Sequence, residues 1–301
     1  MTIERPQKAT KSTPEKLSKE KLRQQILEKT RDERRKELAA QAAQLAKIQA
    51  EADEREEENP LPEDITKEQL IAAKAVITST LKTLGEKPFN AKLLKKKITL
   101  KKEYYYLAIV VKESRCKPDA KSETGAIGYF QLTPIAVAQV NETFKTKLTF
   151  EDVKNFPEKN ALAGILYWHF CENIAPRAYK FTFTDKENSD FAAAFRYNAG
   201  PGVTRDLYYA LGAPKTYNDF EKLIAKKLSE AFPNEIKTTD GRMFERKGYG
   251  LKFYSEVRVT GSIEKKKITI SGAIFSVEKI IEALRYGRII RAIRRDEKYR
   301  V

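Results

Sequence analysis

Glu113-Ser114-Arg115-Cys116-Lys117-Pro118 closes the apolar run Leu107-Ala108-Ile109-Val110-Val111. Twelve positions after the glutamate begins Gly125-Ala126-Ile127-Gly128-Tyr129-Phe130-Gln131-Leu132-Thr133-Pro134, and Tyr197-Asn198-Ala199-Gly200-Pro201-Gly202 stands at the end of a second apolar helical pattern. A glutamate at a helix end is, taken alone, an ordinary solvated charge. Partial burial against Tyr, Phe and Val would raise its pKa and keep it protonated near neutrality, as a general acid requires. Glycines at 125 and 128 let a backbone approach a ligand closely, although Gly-x-x-Gly by itself is an ordinary loop. The Tyr197 ring offers a stacking face and a hydroxyl able to hold a carboxyl group. Asn198 can donate to and accept from an N-acetyl group, and Gly200-Pro201-Gly202 forces a turn. The plainer reading of that third stretch is a helix C-cap over a buried tyrosine.

Around these motifs the chain falls into distinct pieces. Residues 1–59 hold 14 basic and 13 acidic residues and no aromatic one, a polyampholyte of strong helix formers with few apolar positions. They read as a solvated helical or disordered arm. A coiled coil with a partner helix is the alternative, weakened by how sparse Leu22, Ile26, Leu38, Leu45 and Ile48 are. Asn59-Pro60-Leu61-Pro62 marks a boundary. Thr66-Lys67-Glu68-Gln69 has the form of a capping box opening a helix to about Leu84, with Gly85 as its stop.

Residues 60–256 carry the helical patterns: the lead-in helix, the run into Glu113, then 134–144, Asn160 to Asn173, Ser189 to Tyr197, and 216–232. Strand-like alternation is nearly absent there, so the fold class is mainly α. Residues 257–301 change character. Val257 to Ile263 and Lys267 to Phe275 alternate around Glu264-Lys265-Lys266, which predicts a small β-hairpin. Ser276 to Arg295 reads as a basic amphipathic helix, with Gly287 a weak point for its continuity.

Composition narrows the chemistry. Of 301 residues 33% are charged, and the formal net charge of +16 calls for an anionic partner: nucleic acid, anionic lipid or acidic cell-wall polymer. Two cysteines, Cys116 and Cys171, exclude a disulfide framework and a cysteine-only zinc site. They read as ordinary thiols, with one disulfide the alternative. A single histidine, His169, leaves no histidine-rich metal site; it and Trp168 read as helix packing. No cofactor or metal is expected. The sequence shows no apolar leader and no stretch near the ~20 residues of a membrane span, so the chain is expected to be soluble, with its route to a substrate open between virion delivery, a secretion apparatus and a removed leader.

Taken together, the stretches resemble the catalytic domain of soluble lytic transglycosylases, the lysozyme-like glycoside hydrolase family 23 that includes goose-type lysozymes. The match runs through Glu113-Ser114, Pro118-x-Ala120-x-Ser122, Gly125-Ala126-x-Gly128-x-x-Gln131-x-x-Pro134, Asn160-x-x-x-Gly164-x-x-Tyr167 and Tyr197 to Gly202. It covers roughly residues 86–255, with Gly248-Tyr249-Gly250 to Tyr254 a weak match to the family's tyrosine-containing closing segment. Tyr129-Phe130 stands where Leu-Met is usual, and Ile174 to Asn188 looks like an insert that reshapes the cleft.

The resemblance implies a lysozyme-like α domain cleaving the β-1,4 bond between N-acetylmuramic acid and N-acetylglucosamine in peptidoglycan strands. It makes Glu113 the catalytic acid and then base, with Tyr197 orienting it. Ser122, Gly128, Tyr129, Gln131 and Asn198 become substrate-binding residues, and Tyr167 packs beneath the site. Asp119 and Glu123 are the nearby carboxylates that a hydrolase would need, and both read as loop charges. Outside the enzyme reading stands a structural virion or secretion-apparatus protein with a wall-opening or glycan-binding domain. The basic C-terminal helix is an expected contact for nucleic acid or an anionic surface.

Overall fold

The computed structural model describes residues 65–86, 100–246, 250–296 and 299; at 86, 187, 239–246 and 250–256 it describes the backbone alone. The charged arm at 1–59 lies outside the described residues. The chain divides into two compact units, Met1–Asn59 with Phe244–Gly250, and Pro60–Met243 with Leu251–Val301. The second is mainly helical, with a small C-terminal β-hairpin and helix.

Helix α1 (Lys67–Glu86) opens as its sequence predicts. The Thr66 backbone N–H donates to Gln69 Oε1 at 2.9 Å and the Gln69 N–H donates to Thr66 Oγ1 at 3.2 Å, a reciprocal cap. Leu70, Ala73, Ile77 and Leu84 form its buried stripe. Helix α2 (Glu103–Ser114) is buried continuously from Tyr105 to Val111. A helix apolar all round belongs at the centre of a bundle, and α2 packs against α1 on one side and the C-terminal helix on another.

Next come α3 (Pro134–Phe144), α4 (Phe150–Asn155) and α5 (Pro157–His169). The expected helix from Asn160 starts earlier, where Pro157 occupies the first turn that tolerates it. Its far end widens into a π-helical turn, Phe170–Ile174, before the short α6 (Ala175–Ala178). Helices α7 (Ser189–Ala199), α8 (Pro201–Ala210) and α9 (Tyr217–Ala231) complete the middle of the chain.

The β structure departs from expectation in its placement. Strands β1 (Ile236–Arg246) and β2 (Gly250–Val259) form a two-stranded sheet, so Val257 belongs to a strand paired upstream. Lys267 to Phe275 is not one strand. It is itself the hairpin, β3 (Lys267–Ile270) against β4 (Ala273–Ser276), with Ile268 opposite Phe275. Ser271 and Gly272 both have positive φ, 47° and 84°, the signature of a tight two-residue hairpin turn. The inward set switches from even to odd positions across this turn, Ile268 and Ile270 before it and Phe275 after it, with Ile274 exposed, so a single uninterrupted alternation over Lys267 to Phe275 misses it.

Helix α10 (Val277–Arg295) is capped by Ser276, whose side chain accepts from the Lys279 N–H. Gly287 does not interrupt it. A Cβ there would sit 2.6 Å from Phe191 Cδ1 of α7, so the glycine marks a close helix crossing. Helix α10 joins two apolar clusters: Tyr286, Ile290 and Ile293 enter the one built on α1, α2 and α5. Ile280, Ile281 and Leu284 enter the other, with Phe195, Phe220 and the hairpin residues Ile268 and Phe275. Each such aliphatic side chain contributes about 1.5–3 kcal/mol on burial, so the basic helix is an integral wall of its own domain. Among the described residues no helix is long and apolar enough to cross a membrane.

Candidate active site

Glu113 is the penultimate residue of α2, and the chain turns sharply beyond it. Arg115 and Cys116 both take the left-handed conformation, φ 52° and 57°, uncommon for non-glycine residues in succession. That reversal ends the helix where the carboxyl group meets the following loop.

The loop is held from beneath by Asn160 of α5, which is 1% exposed. Its Oδ1 accepts from the Phe130 N–H at 2.9 Å, and its Nδ2 donates to the carbonyls of Ile127 and Val153 at 3.0 and 3.2 Å. One buried amide thus satisfies three backbone groups that would otherwise be costly to bury. Gly128, with φ 73°, lies so close to this amide that a Cβ would fall 2.1 Å from Nδ2. Its glycine is required by packing against Asn160. Gly164 likewise makes room for the Phe130 ring. Ile127 and Leu132 pair across the loop through both backbone bonds.

The expected substrate contacts divide. Asn198 is exposed beside the second turn. Ser122 accepts from the Ala126 N–H at 2.9 Å and lies 3.0 Å from the Thr124 hydroxyl. Gln131 spends its amide N–H groups on the carbonyls of Ala120 and Gly128, at 3.0 and 2.9 Å; its side chain braces the loop and its carbonyl oxygen is not used there. Tyr129 is only 3% exposed, so its ring is core rather than a surface for sugar. Asp119 and Glu123 are exposed. Trp168 and His169 are buried, as packing predicts, and Cys116 and Cys171 are free buried thiols. Among the described residues no cluster of metal-binding side chains occurs.

The Tyr197 hydroxyl donates to the Phe130 carbonyl at 2.8 Å, with the Glu113 carboxyl a neighbouring charge. The ring stacks almost parallel to Tyr286 of α10, centroids 6.0 Å apart at 17°, and packs on Tyr167 and Trp168 at 5.4 and 5.5 Å. Tyr167 therefore lies under the site, as the pattern implied.

The side chain that meets Glu113 is Tyr286. Burial pushes the Glu113 carboxyl up to about 7, and the facing Tyr286 hydroxyl and Lys112 hold it back from going higher, while Glu282 adds a like charge. Glu113 is half-buried as a residue, and its carboxyl is densely surrounded. The Tyr286 hydroxyl is buried without a hydrogen bond of standard geometry, and burial followed by the Glu113 charge raises it well above the ordinary phenol value. The pair is looser than a formed hydrogen bond, as catalytic contacts often are before substrate arrives.

The closing tyrosine was expected at 248–254. Gly248 and Tyr249 lie outside the described residues, and the described tyrosine against the acid comes from α10. Its sequence signal, Leu284-Arg285-Tyr286-Gly287-Arg288 in an amphipathic helix, reads as a docking face and hides a polar group aimed inward.

Residues 89–220 match the family model of the transglycosylase SLT domain. That segment is therefore a transglycosylase SLT domain, the lysozyme-like domain of a lytic transglycosylase family of peptidoglycan-acting enzymes. No curated protein matches the chain.

Proposed function

We propose that this SLT domain cleaves the β-1,4 bond between N-acetylmuramic acid and N-acetylglucosamine, with Glu113 as acid and then base and a 1,6-anhydro sugar as product. The observation that carries the reading is the Glu113 carboxyl, pushed up to about 7 at the junction of α2, the Asn160-pinned loop and Tyr286. A carboxyl in that range is substantially protonated at neutral pH and, once ionised, is basic enough to recover a proton.

Glu113 gives its proton to the leaving glycosidic oxygen as the bond to C1 breaks. The substrate's own N-acetyl oxygen bonds to C1 and takes up the positive charge. The Glu113 carboxylate then removes the proton of the C6 hydroxyl, whose oxygen closes on C1 and displaces the acetamido oxygen. Glu113 ends protonated, so the cycle balances without a metal, cofactor or water. Tyr286 steadies the carboxylate between the two steps, because its hydroxyl favours the charged form. Tyr197 fixes the Phe130 carbonyl and with it the loop. Asn198 is the exposed amide available to the sugar's acetamido group.

Hydrolysis of the goose-lysozyme type is the second reading, and Glu282 is the observation in its favour. It is exposed on α10, one turn before Tyr286, and its charge acts on Glu113. A hydrolase would use such a carboxylate to activate water. Product masses from digested wall decide between the two. Anhydro-muramyl ends support ring closure, whereas reducing ends that disappear in Glu282→Gln support water.

A further inference from the structure

We propose that the half-buried Glu221–Arg288 ion pair is a positioning device for the active site, setting the register of α10 and so placing the Tyr286 hydroxyl against Glu113. This rests on the reading of Glu113 and Tyr286 given above. Glu221, on α9, is 5% exposed, and Arg288 Nη2 lies 3.5 and 3.4 Å from its two carboxylate oxygens. Arg288 also donates through Nη1 to the Leu284 carbonyl at 3.2 Å, one turn back on its own helix.

Such a pair, with the Glu221 side chain buried and that of Arg288 31% exposed, is poor evidence for stability, since desolvation of the carboxylate offsets much of the attraction. Its better-attested use is registry. Arg288 follows Tyr286 by two residues, about 200° around the helix and about 3 Å along it. The ion pair therefore grips α10 from α9, while Tyr286 projects from the other side toward α2 and α7.

What lies between explains why a polar grip is needed. Gly287 meets Phe191 and Ala194 of α7 with no side chain of its own, so that crossing offers no knob to resist sliding. The isoleucines at 280, 281, 290 and 293 pack among apolar neighbours, whose attraction is non-directional. A slip of one residue would move the Tyr286 position by about 1.5 Å and rotate it by about 100°. The far end of the helix is fastened separately, Arg294 lying 3.8 Å from Asp190 and its guanidinium 4.5 Å from the Tyr105 ring centroid. Nearer the site two polar contacts hold the helix: Arg285, whose Nη2 donates to the Val257 carbonyl of β2 at 3.2 Å, and the Glu221–Arg288 pair, which joins α10 to a charge on another helix. The other groups facing Glu221 are Tyr217, which bonds to it, and Asp185. Asp185 is engaged by the Tyr217 N–H at 2.8 Å and by Asn188 Nδ2 at 2.8 Å.

The test uses the full chain and peptidoglycan turnover, comparing Glu221→Gln in the wild-type and Tyr286→Phe backgrounds. The expected result is a roughly tenfold fall in kcat with KM within about twofold, and no further fall in the Tyr286→Phe background. A second readout is the pH–rate profile. The groups facing Glu113 are Lys112 on its own helix, Tyr197 on α7, and Glu282 and Tyr286 on α10. Loss of the Tyr286 hydroxyl's influence raises the Glu113 pKa, so Glu221→Gln and Tyr286→Phe should both move the alkaline limb upward.

An unchanged kcat in folded Glu221→Gln would overturn the proposal, as would an equal loss in both backgrounds. If Glu221→Gln does not fold, Arg288→Lys keeps the charge but loses the planar fork and is read in the same way. Glu113→Gln separates the two levels: near-native activity there sinks the catalytic reading itself, whereas an inactive Glu113→Gln beside a normal Glu221→Gln sinks the positioning role alone.

Discussion

The stretch from 89 to 220 and helix α10 contribute opposite halves of one site and look nothing alike as sequence. The first is dense with turn glycines, a buried Asn and motif spacing; the second is a basic amphipathic helix. Yet the acid of the first is met by a tyrosine of the second, and the tyrosine of the motif is occupied with holding a loop. Motif residues here build the frame, and a residue outside the family match completes the environment of the acid. A frame needs particular backbone shapes, which leave glycines and fixed spacings in the sequence. A hydroxyl aimed inward needs only the right place on a helix.

The largest expected effect falls on the motif half. Glu113→Gln should reduce peptidoglycan cleavage by about 10²–10⁴-fold, measured as soluble muropeptide release, with the circular dichroism spectrum unchanged. The same variant carries a signed stability prediction. The Glu113 carboxyl titrates near 4.5 unfolded and at about 7 folded, so the folded state binds the extra proton in that window. Wild-type stability from this group falls as pH rises from 4.5 to 7 and is flat above. Glu113→Gln should therefore gain up to about 3 kcal/mol over wild type at pH 8 and close to none at pH 4; a constant difference across pH would contradict the burial of the carboxyl.

The helical half should respond next. Tyr286→Phe is expected to lower kcat by roughly tenfold or more and to shift the alkaline limb upward, because the hydroxyl that favours the carboxylate is gone. Tyr197→Phe breaks the comparison if it does the same. It should instead cost about 1–3 kcal/mol of stability through an unsatisfied Phe130 carbonyl, with kcat within about threefold once folded and no shift of the pH limb. The smallest effect is expected at the helix crossing. Gly287→Ala gains about 1 kcal/mol of helix propensity and loses about 1–3 kcal/mol to overpacking against Phe191. A net destabilisation of about 1 kcal/mol in urea unfolding would fit the contact, and a stabilised variant would show that α10 rides away from α7 at little cost.

Much of the helical frame was legible because its signals are local. The Thr66–Gln69 cap, the Pro134 start and the Ser276 cap each depend on residues within one turn of each other. The hairpin was legible as β and misplaced: continuing the period from Ile268 and Ile270 points Ile274 inward, whereas the Ser271-Gly272 turn shifts the inward set to Phe275 and leaves Ile274 exposed. Tyr129 was read as a sugar contact because it sits in a glycine-rich turn, and only packing could show its ring facing inward. Gly287 was read as a weak point because a missing side chain is a defect in an isolated helix and an asset at a crossing.

By itself the sequence singled out Glu113 as the expected acid, marked the glycine-rich turns that follow it and gave the domain its helical class, since these follow from residue type and spacing along one stretch of chain. The tertiary structure alone decided which hydroxyl faces that acid and what keeps it there. Glu113 and Tyr286 are 173 positions apart, and burial, the cause of the raised carboxyl pKa, is a property of everything packed around a group.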